Sequence, residues 1–301
     1  MKKHFFKIIL YLSLVFLIIS LSKADYLKIP EVKNFWFLVI SIAFLFFGFI
    51  GNAIAWQKVL NAGNIKVSKK EAIISQGLSI FAKYIPGKLW VIIGRASFIS
   101  EIKNISKSTT SILSLNAQVI TLWTGILIGS SSIFLDHIHI KYIGWFIAIL
   151  IMWMLMTIFL FIPKIQIIIV TLIRKVFKRK FELSILSSKK LIQTLPHFIL
   201  FWGAWVCGFF FLVASLTDYI PSPSVGLNFA LAGTLGILVV ISPGGLGVRE
   251  GILTGLLVIS GYSLELATTI SVTSRLWFLL GEGFVFLMAL FLRFYYKQKN
   301  T

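Results

Sequence analysis

The chain has 301 residues, of which 58% are hydrophobic and 13% charged. Soluble domains carry about a quarter of charged residues, so this composition excludes a soluble globular protein and predicts an integral membrane protein. The formal net charge of +19 would suggest nucleic acid for a soluble protein. Here the basic residues concentrate at helix ends and in loops, and no nucleic-acid-binding motif occurs. We therefore expect anionic membrane lipids as partners, and no nucleic acid.

Six apolar runs are long enough to cross a membrane. The first has basic residues before it and no small-residue cleavage site after it, so it is predicted to be a retained helix. We expect an all-α polytopic protein with about six full transmembrane helices and two broken or re-entrant elements. The runs lie at 5–21, 35–56, 111–135, 142–162, 191–216 and 266–291.

These runs form one predicted integral membrane domain over 1–301. Its first half extends to about residue 162, a strongly basic loop follows at 163–190, and its second half covers 191–301. The middle of the basic loop is amphipathic, which is typical of a helix on the membrane surface.

Region 71–100 is too interrupted for one straight span. Pro86-Gly87 divides it into two half-length pieces, and neither is long enough to cross a membrane. A re-entrant hairpin, or a pair of helices lying in the interface, fits better. Ser68 and Glu71 are three residues apart and predict a capping box at its start. The polar and charged side chains near the break are Lys83, Tyr84, Lys88 and Arg95.

Region 227–259 has a second break, at Ser242–Gly251. Pro243 forbids a regular helix through it, and the glycines that follow allow backbone conformations that other residues resist. Arg249 and Glu250 place two full charges inside otherwise apolar chain. Charges at such depth are costly and usually paired or functional, and irregular backbone is tolerated only where protein or a watery cavity covers it. The sequence predicts a broken helix that lines a site.

The basic residues also predict an orientation. With the N-terminus, the loops 58–70, 101–110 and 163–190 and the C-terminal tail in the cytoplasm, those segments hold 20 Lys and Arg, and the opposite loops hold 4. This is the positive-inside pattern, and it predicts a multi-pass cell-membrane protein with both termini cytoplasmic. Region 71–100 then enters and leaves on the cytoplasmic side. Region 227–259 enters and leaves on the outer side, or crosses twice as short spans.

The order of elements predicts an inverted repeat. Each half contains a span, a broken element with a central Pro-Gly and a downstream arginine, and a second span, in opposite orientations. Interrupted segments at corresponding positions of two inverted halves indicate the central site of a transporter. The two sets are 35–56, 71–100 and 111–135, and 191–216, 227–259 and 266–291.

Two motifs resemble the membrane domain of the lysylphosphatidylglycerol synthetase family, a flippase-like family of membrane proteins. One runs from Lys83 to Lys88 with Arg95, and the other from Pro243 to Glu250; Arg275 followed by Trp277 is similar to the family's final-helix feature. The resemblance implies movement of lipids between leaflets. Some members carry a soluble aminoacyltransferase domain. This chain ends soon after the last predicted span, so we expect no lipid lysinylation by it.

The second break supplies candidate substrate-binding residues. A guanidinium presents a planar fork of donors that suits a lipid phosphate, so Arg249 is the main candidate. The alternative is a structural ion pair with Glu250, Glu282 or another acid. Glu250 is either a gating or proton-coupled carboxylate or a counter-charge for Arg249 or Arg275. The glycines would expose backbone donors to an anion or permit tight helix packing. They are Gly244, Gly245 and Gly247.

The first break and the last span supply the others. Lys83, Lys88 and Arg95 would form a headgroup site on the cytoplasmic side, or the lysines would extend to the membrane surface. Arg275 and Glu282 lie on one face of the last helix. They are predicted to bond to each other or to face Arg249 and Glu250 across the interior. Asn116 and Gln118 would join the same cavity or hydrogen-bond between helices.

No catalytic or cofactor motif accompanies these residues. Asp136, His137 and His139 in one short loop are too few for a metal site, and no nucleophile–base pair or Walker pattern occurs. We expect no enzyme activity, no metal and no cofactor. The predicted function is a flippase for an anionic phospholipid or a lipid-linked glycan. The alternatives are an enzyme that modifies lipid headgroups, with Glu250 or Glu282 as base, and a scaffold for envelope or glycan biosynthesis proteins.

Overall fold

The computed structural model describes residues 31–85, 89–135, 143–168, 171, 186–239, 243–245 and 247–298. These residues form helices, and no strand occurs among them. The helices are α1 (Phe35–Ala62), α2 (Lys69–Ser79), α3 (Leu89–Lys103), α4 (Lys107–Ser130), α5 (Ile143–Phe161), α6 (Ser188–Leu216), α7 (Ser224–Leu238), α8 (Val248–Ile259) and α9 (Leu264–Gln298), with short 3-10 helices at Ile80–Tyr84, Ser131–Phe134 and Pro243–Gly245.

Five of these helices, α1, α4, α5, α6 and α9, are long and apolar enough to cross a membrane. They correspond to five of the six predicted spans, so the prediction of an all-α polytopic membrane protein is confirmed. The sixth, 5–21, lies outside the described residues, as does most of the basic loop 163–190. The predicted polar linker 101–110 is shorter than expected. Helix α4 already begins at Lys107, because the Ser106 hydroxyl accepts a hydrogen bond from the Thr109 amide and caps it.

Helices α1 and α6 pack side by side in antiparallel directions. At one end of the pair the Lys33 amide donates to the Ser215 carbonyl at 2.9 Å, and at the other the Lys190 ammonium donates to the Asn64 side chain at 3.0 Å. The two helices can approach closely because Gly48 of α1, which has no side chain, faces the indole of Trp205 on α6. A Cβ at this position would overlap with the indole. These contacts define two ends of the bundle, the Lys33 end and the Lys190 end.

Residues 69–103 form the first hairpin, whose arms are α2 and α3 and whose tip is Ile80–Tyr84. The predicted capping box is present, since the Ser68 hydroxyl accepts from the Glu71 amide and the Glu71 carboxylate accepts from the Ser68 amide. Lys103 closes the base by an ion pair with Glu71 at 2.8 Å. Burial alone would raise the pKa of the Glu71 carboxyl, but the hydrogen bonds from Lys103 and Ser68 lower it below its ordinary value. This base follows α1 and lies at the Lys190 end.

Residues 224–259 form the second hairpin, whose arms are α7 and α8 and whose tip is Pro243–Gly245. Its base is closed by a hydrogen bond of 2.9 Å from the Asn228 amide to the Ser260 hydroxyl. The hairpin follows α6, so its base lies at the Lys33 end. Both regions predicted to be broken are therefore helical pieces separated by a break.

Helix α9 passes both hairpins in turn. The second hairpin contacts α9 from Ser271 to Arg275, and the first contacts it from Glu282 to Ala289. The two tips therefore meet near the middle of α9, and the hairpins point toward each other from opposite ends of the bundle. The two broken elements therefore have opposite orientations in the bundle, which is the arrangement predicted from sequence. Pro86, Gly87 and Lys88 lie outside the described residues.

Candidate functional site

A cavity of about 470 Å³ lies between the two hairpins. Its walls come from both hairpins and from α1, α4, α6 and α9. Among the described residues that line it, none is acidic and four are cationic: Lys83, Arg95, Arg249 and Arg275. Each of the four was predicted from sequence as a binding residue, and the fold brings them to one cavity from three separate segments.

The rest of the lining is mainly aromatic and aliphatic. The aromatic side chains come from α1, α6, α7 and α9, and they are Phe49, Trp202, Trp205, Phe229 and Phe278. A few uncharged polar groups interrupt this surface: Asn52, Gln76, Gln118 and Thr121. An apolar chamber with a few convergent polar groups is the usual form of a small-ligand site.

The first tip is held to α9 through Glu282. The Glu282 side chain is fully buried and forms an ion pair with the Lys83 ammonium. Its other oxygen accepts a hydrogen bond of 2.9 Å from the Tyr84 hydroxyl. Lys83 therefore does not extend to the membrane surface, which was one of the two alternatives for it. A buried carboxylate retains it inside the bundle.

The second tip is held to α9 through Arg275. Its Nη1 donates to the Gly244 carbonyl at 3.1 Å and lies 3.8 Å from the Glu250 carboxylate. The guanidinium also lies over the Tyr84 ring of the first tip, 5.2 Å from its centroid. Arg275 thus joins both tips to one helix. Arg275 and Glu282 do not bond to each other, because each has a partner on a different hairpin.

Arg249 is held by aromatic rings and not by a carboxylate. Its guanidinium carbon lies 4.8 Å from the centroid of Phe229 and 4.8 Å from that of Phe278. Nη2 donates a long hydrogen bond of 3.5 Å to Ser274, and the buried Nε has no hydrogen-bond acceptor. Among the ion pairs between described residues, Arg249 takes part in none. The alternative of a direct ion pair with Glu250 or Glu282 is therefore wrong.

Each nitrogen of the Arg95 guanidinium has a neutral hydrogen-bond partner. Its Nε and Nη2 donate to the hydroxyl and carbonyl of Ser114, each at 2.7 Å, and Nη1 donates to the Gln76 side chain at 3.1 Å. Its guanidinium also lies over the Trp56 ring, 4.6 Å from the centroid. Because every arm of the fork is occupied, Arg95 first of all joins α2, α3 and α4. Its three hydrogen bonds use three of its five N–H groups, and its charge adds positive potential to the cavity.

Three of the cations lie around two rings, that of Tyr84 in the first tip and that of Phe278 on α9. Lys83 and Arg249 lie 5.2 and 4.8 Å from the centroid of Phe278, and Lys83 and Arg275 lie 5.3 and 5.2 Å from that of Tyr84. Two carboxylates, Glu250 and Glu282, accompany these three cations. The tip cluster therefore carries one formal positive charge in excess, and all its charged members except the partly buried Lys83 are buried.

The three glycines of the second break differ in their surroundings. All three have positive φ. A Cβ at Gly244 would lie 2.5 Å from the Tyr84 ring, so tight packing is the role that the contacts give this residue. A Cβ at Gly245 would lie 3.2 Å from the Gly236 carbonyl oxygen, which is a tight but less severe contact. Gly247 has open space around its Cα and forms the N-cap of α8, so its requirement is conformational.

Several residues of the site were not predicted from sequence. The most important are Phe229 and Phe278, which enclose Arg249, and Ser274, which bonds to it. Gln76 could have been identified from sequence, because it is an amide in an apolar run. Phe229 and Phe278 could not, because the chain has 28 phenylalanines and nothing local distinguishes these two. Gln118 lines the cavity, which was one of the two alternatives for it. The loop with Asp136, His137 and His139 lies outside the described residues; within them, no metal-binding group of His, Cys, Asp and Glu occurs.

Comparison with protein families gives a match over almost the whole chain. The family described as "Lysylphosphatidylglycerol synthase TM region" matches residues 5–295. Neither the curated proteins nor the solved structures contain a significant match to the chain. The match covers both hairpins and all four cations of the cavity.

Proposed function

Because the chain belongs to the lysylphosphatidylglycerol synthase transmembrane-region family, its function is related to membrane lipids, and we propose that it translocates an anionic lipid. The ligand is the charged headgroup of a phospholipid or of a lipid-linked glycan. It binds in the cavity between the hairpin tips, while its acyl chains stay in the surrounding bilayer.

The observation that carries this proposal is the charge of the cavity. Its described lining has four cations and no acid, and Arg249 faces it without a carboxylate partner. A buried charge without a counter-ion is costly in a membrane, and this cost is removed when an anion binds. A phosphate also matches the donor geometry of a guanidinium.

The two hairpins suggest how the headgroup would cross. Each reaches the middle of the bundle from one end, and we propose that each leaflet has one hairpin beside the cavity. We propose that they are re-entrant in the membrane, and that separation of one hairpin from α9 opens the cavity to the leaflet on that side. The polar contacts of both tips with α9 are the contacts that would break and re-form.

The lipid is expected to cross without chemical change. The two carboxylates that would act as a base are Glu250 and Glu282, and neither belongs to the described lining of the cavity. Glu282 is also occupied by Lys83 and Tyr84. These positions do not suit a base that must reach a headgroup bond, so we propose a transporter and not an enzyme.

We further propose the cell membrane as the location, with the Lys190 end of the bundle and both termini on the cytoplasmic side. Envelope or glycan biosynthesis proteins remain proposed partners. Cysteines placed singly at Lys66 and Tyr219, in a chain with Cys207→Ser, would test the orientation with a membrane-impermeant thiol reagent. We expect the external reagent to label position 219 and not position 66. Labelling of position 66 alone would show that the protein has the opposite orientation.

Binding of the anion is tested with purified protein in nanodiscs. The probes are phosphatidylglycerol and, as a neutral comparison, phosphatidylcholine, with the affinity read by native mass spectrometry. Arg249→Met is expected to weaken phosphatidylglycerol binding about 100-fold, the order expected when one partner of a buried charged pair is lost. The matched control is Arg293→Met, at an exposed position near the end of α9, and it should change the affinity little. Equal affinities for all three proteins would contradict the proposed site.

Transport itself is tested in proteoliposomes. Fluorescent phosphatidylglycerol should move between leaflets faster with the wild-type protein than with Arg249→Met, and mass spectrometry should recover it unmodified. A new lipid product would favour the enzyme, whereas binding without movement would favour a scaffold.

A further inference from the structure

The Lys83 ammonium lies between two regions of the bundle. On one side it pairs with the Glu282 carboxylate. On the other it lines the cavity, where its side chain keeps 22% of its exposure. Glu282 itself is fully buried and is absent from the described lining. An anion in the cavity would therefore reach Lys83 without contacting Glu282, and the two negative groups would share one cation.

We propose that Glu282 is a proton-binding site that competes with the anionic ligand for Lys83. This inference rests on the proposed function. With Glu282 ionised, Lys83 is held toward α9 and its charge is largely neutralised. When Glu282 takes up a proton, the ion pair is lost and Lys83 becomes available to the anion. Proton binding and anion binding thus favour each other, and by linkage the effect is reciprocal.

The partners of Glu282 suit both protonation states. The ionised carboxylate receives the Lys83 ammonium and the Tyr84 hydroxyl. A tyrosine hydroxyl is both donor and acceptor, so after proton uptake it can rotate and accept a hydrogen bond from the carboxylic acid. Glu250 differs, since neither of its oxygens has a hydrogen-bond donor and its nearest cation, Arg275, lies at 3.8 Å.

The other charged groups around Glu282 come from the two tips and from α9. Lys83 and Tyr84 belong to the first tip, and Arg275 lies two turns away on α9. Arg249 of the second hairpin, which is followed by Glu250, also acts electrostatically on this cluster. Helices α1, α2 and α6 meet this part of α9 through uncharged residues: Leu45, Phe49, Gly77 and Trp205. The ion pair with Lys83 is therefore the contact that protonation changes most.

The first test measures phosphatidylglycerol affinity against pH in nanodiscs. Its phosphodiester keeps one negative charge over the range, so a pH dependence reports the protein. For the wild-type protein, affinity is expected to rise as pH falls, because proton uptake and anion binding favour each other. In Glu282→Gln the affinity should be high, about tenfold above wild type at the upper end of the pH range, and almost independent of pH. Glu250→Gln is the comparison variant and should keep the pH dependence.

The second test removes the shared cation. In Lys83→Met the pair no longer exists, so adding Glu282→Gln to that variant should leave the affinity unchanged. A calorimetric titration of wild type in two buffers of different ionisation enthalpy gives a second readout that needs no variant, and proton uptake on binding is expected.

The outcomes separate this inference from the function on which it rests. Loss of phosphatidylglycerol binding in Arg249→Met, together with a pH-independent wild type and unchanged affinity in Glu282→Gln, would overturn the proton-binding role alone. Absence of phosphatidylglycerol binding by wild type would overturn both. A tenfold gain in Glu282→Gln that persists with Lys83→Met would also contradict the competition, because it would have another cause.

Discussion

Arg95 and Arg249 occupy comparable positions in the two hairpins, yet their surroundings differ in kind. Each follows a Pro-Gly break, each is buried, and each lines the cavity. Arg95 donates to the Ser114 hydroxyl and carbonyl and to the Gln76 side chain. Arg249 lies between two phenylalanine rings, with a long hydrogen bond to Ser274 and an Nε that has no acceptor.

The difference shows how two similar residues take different roles. Three hydrogen bonds to neutral partners, one from each nitrogen, tie Arg95 into the fold and use three of its five N–H donors. Aromatic rings hold Arg249 in place without using its hydrogen-bond donors. Its guanidinium therefore keeps donors that an anion can use. Arg95 mainly stabilises the fold, and Arg249 is the proposed anion-binding residue.

The largest expected effect on stability is at Arg95. In Arg95→Met the Gln76 and Ser114 acceptors lose their donor in the interior, and we expect a loss of about 3 kcal/mol in the free energy of unfolding. Arg249→Met is the matched comparison. It removes a buried charge without an acid partner, so it should leave stability almost unchanged. Unfolding in mixed micelles with increasing denaturing detergent measures both.

Equal losses in the two variants would contradict this division of roles. Arg95→Lys sharpens the comparison, because an ammonium keeps the charge but cannot reproduce the fork that reaches Ser114 and Gln76 together. It should recover only part of the lost stability.

The second prediction concerns the contact between the tips. Gly244→Ala places a Cβ 2.5 Å from the Tyr84 ring at a φ of +59°, so the tips must separate, at a cost of about 2 kcal/mol. Gly247→Ala has a similar φ of +78° but open space around the new Cβ. It should cost about 1 kcal/mol, from backbone strain alone. Thermal unfolding of the two variants tests this, and a larger loss for Gly247→Ala would contradict the packing role of Gly244.

The smallest predicted effect is at the base of the first hairpin. Glu71→Gln removes the ion pair with Lys103 and weakens the capping box, with an expected loss of about 1 kcal/mol. The pKa of Glu71 is lowered in the folded state, so its contribution is present at neutral pH and disappears as pH falls through that lowered value. The stability difference between wild type and Glu71→Gln should therefore vanish in acid. A difference that grows on acidification would have the wrong sign.

The sequence predicted where helices break or begin, but it did not predict which sides of the helices pack against each other. Pro243 and Ser68 predict local structure because their effects act within one turn of chain. Which sides of α1, α7 and α9 meet is decided by packing between residues far apart in sequence. Nothing local distinguishes Phe229 or Phe278 from other phenylalanines in apolar helices, although these two define the environment of Arg249.

Packing between distant residues also explains why the partners of the charged residues on α9 were only partly predicted. The sequence indicated that Arg275 and Glu282 share a helix face, and that they would bond to each other or face the second hairpin. The structure bears this out for Arg275, which lies beside Glu250. Glu282 instead bonds to the first hairpin. The distance of two turns along α9 matches the separation of the two tips, and that separation is a property of the whole fold.

The most direct measurement is the distance from a bound lipid's phosphorus to the guanidinium nitrogens of arginine. Solid-state NMR of isotope-labelled protein with phosphatidylglycerol provides it. Wild type should show a contact of about 4 Å, as a charge-assisted hydrogen bond to a phosphate oxygen requires. The contact should be lost or much reduced in Arg249→Lys and retained in Arg95→Lys. A contact unchanged in Arg249→Lys would show that the anion binds elsewhere and would contradict the central claim.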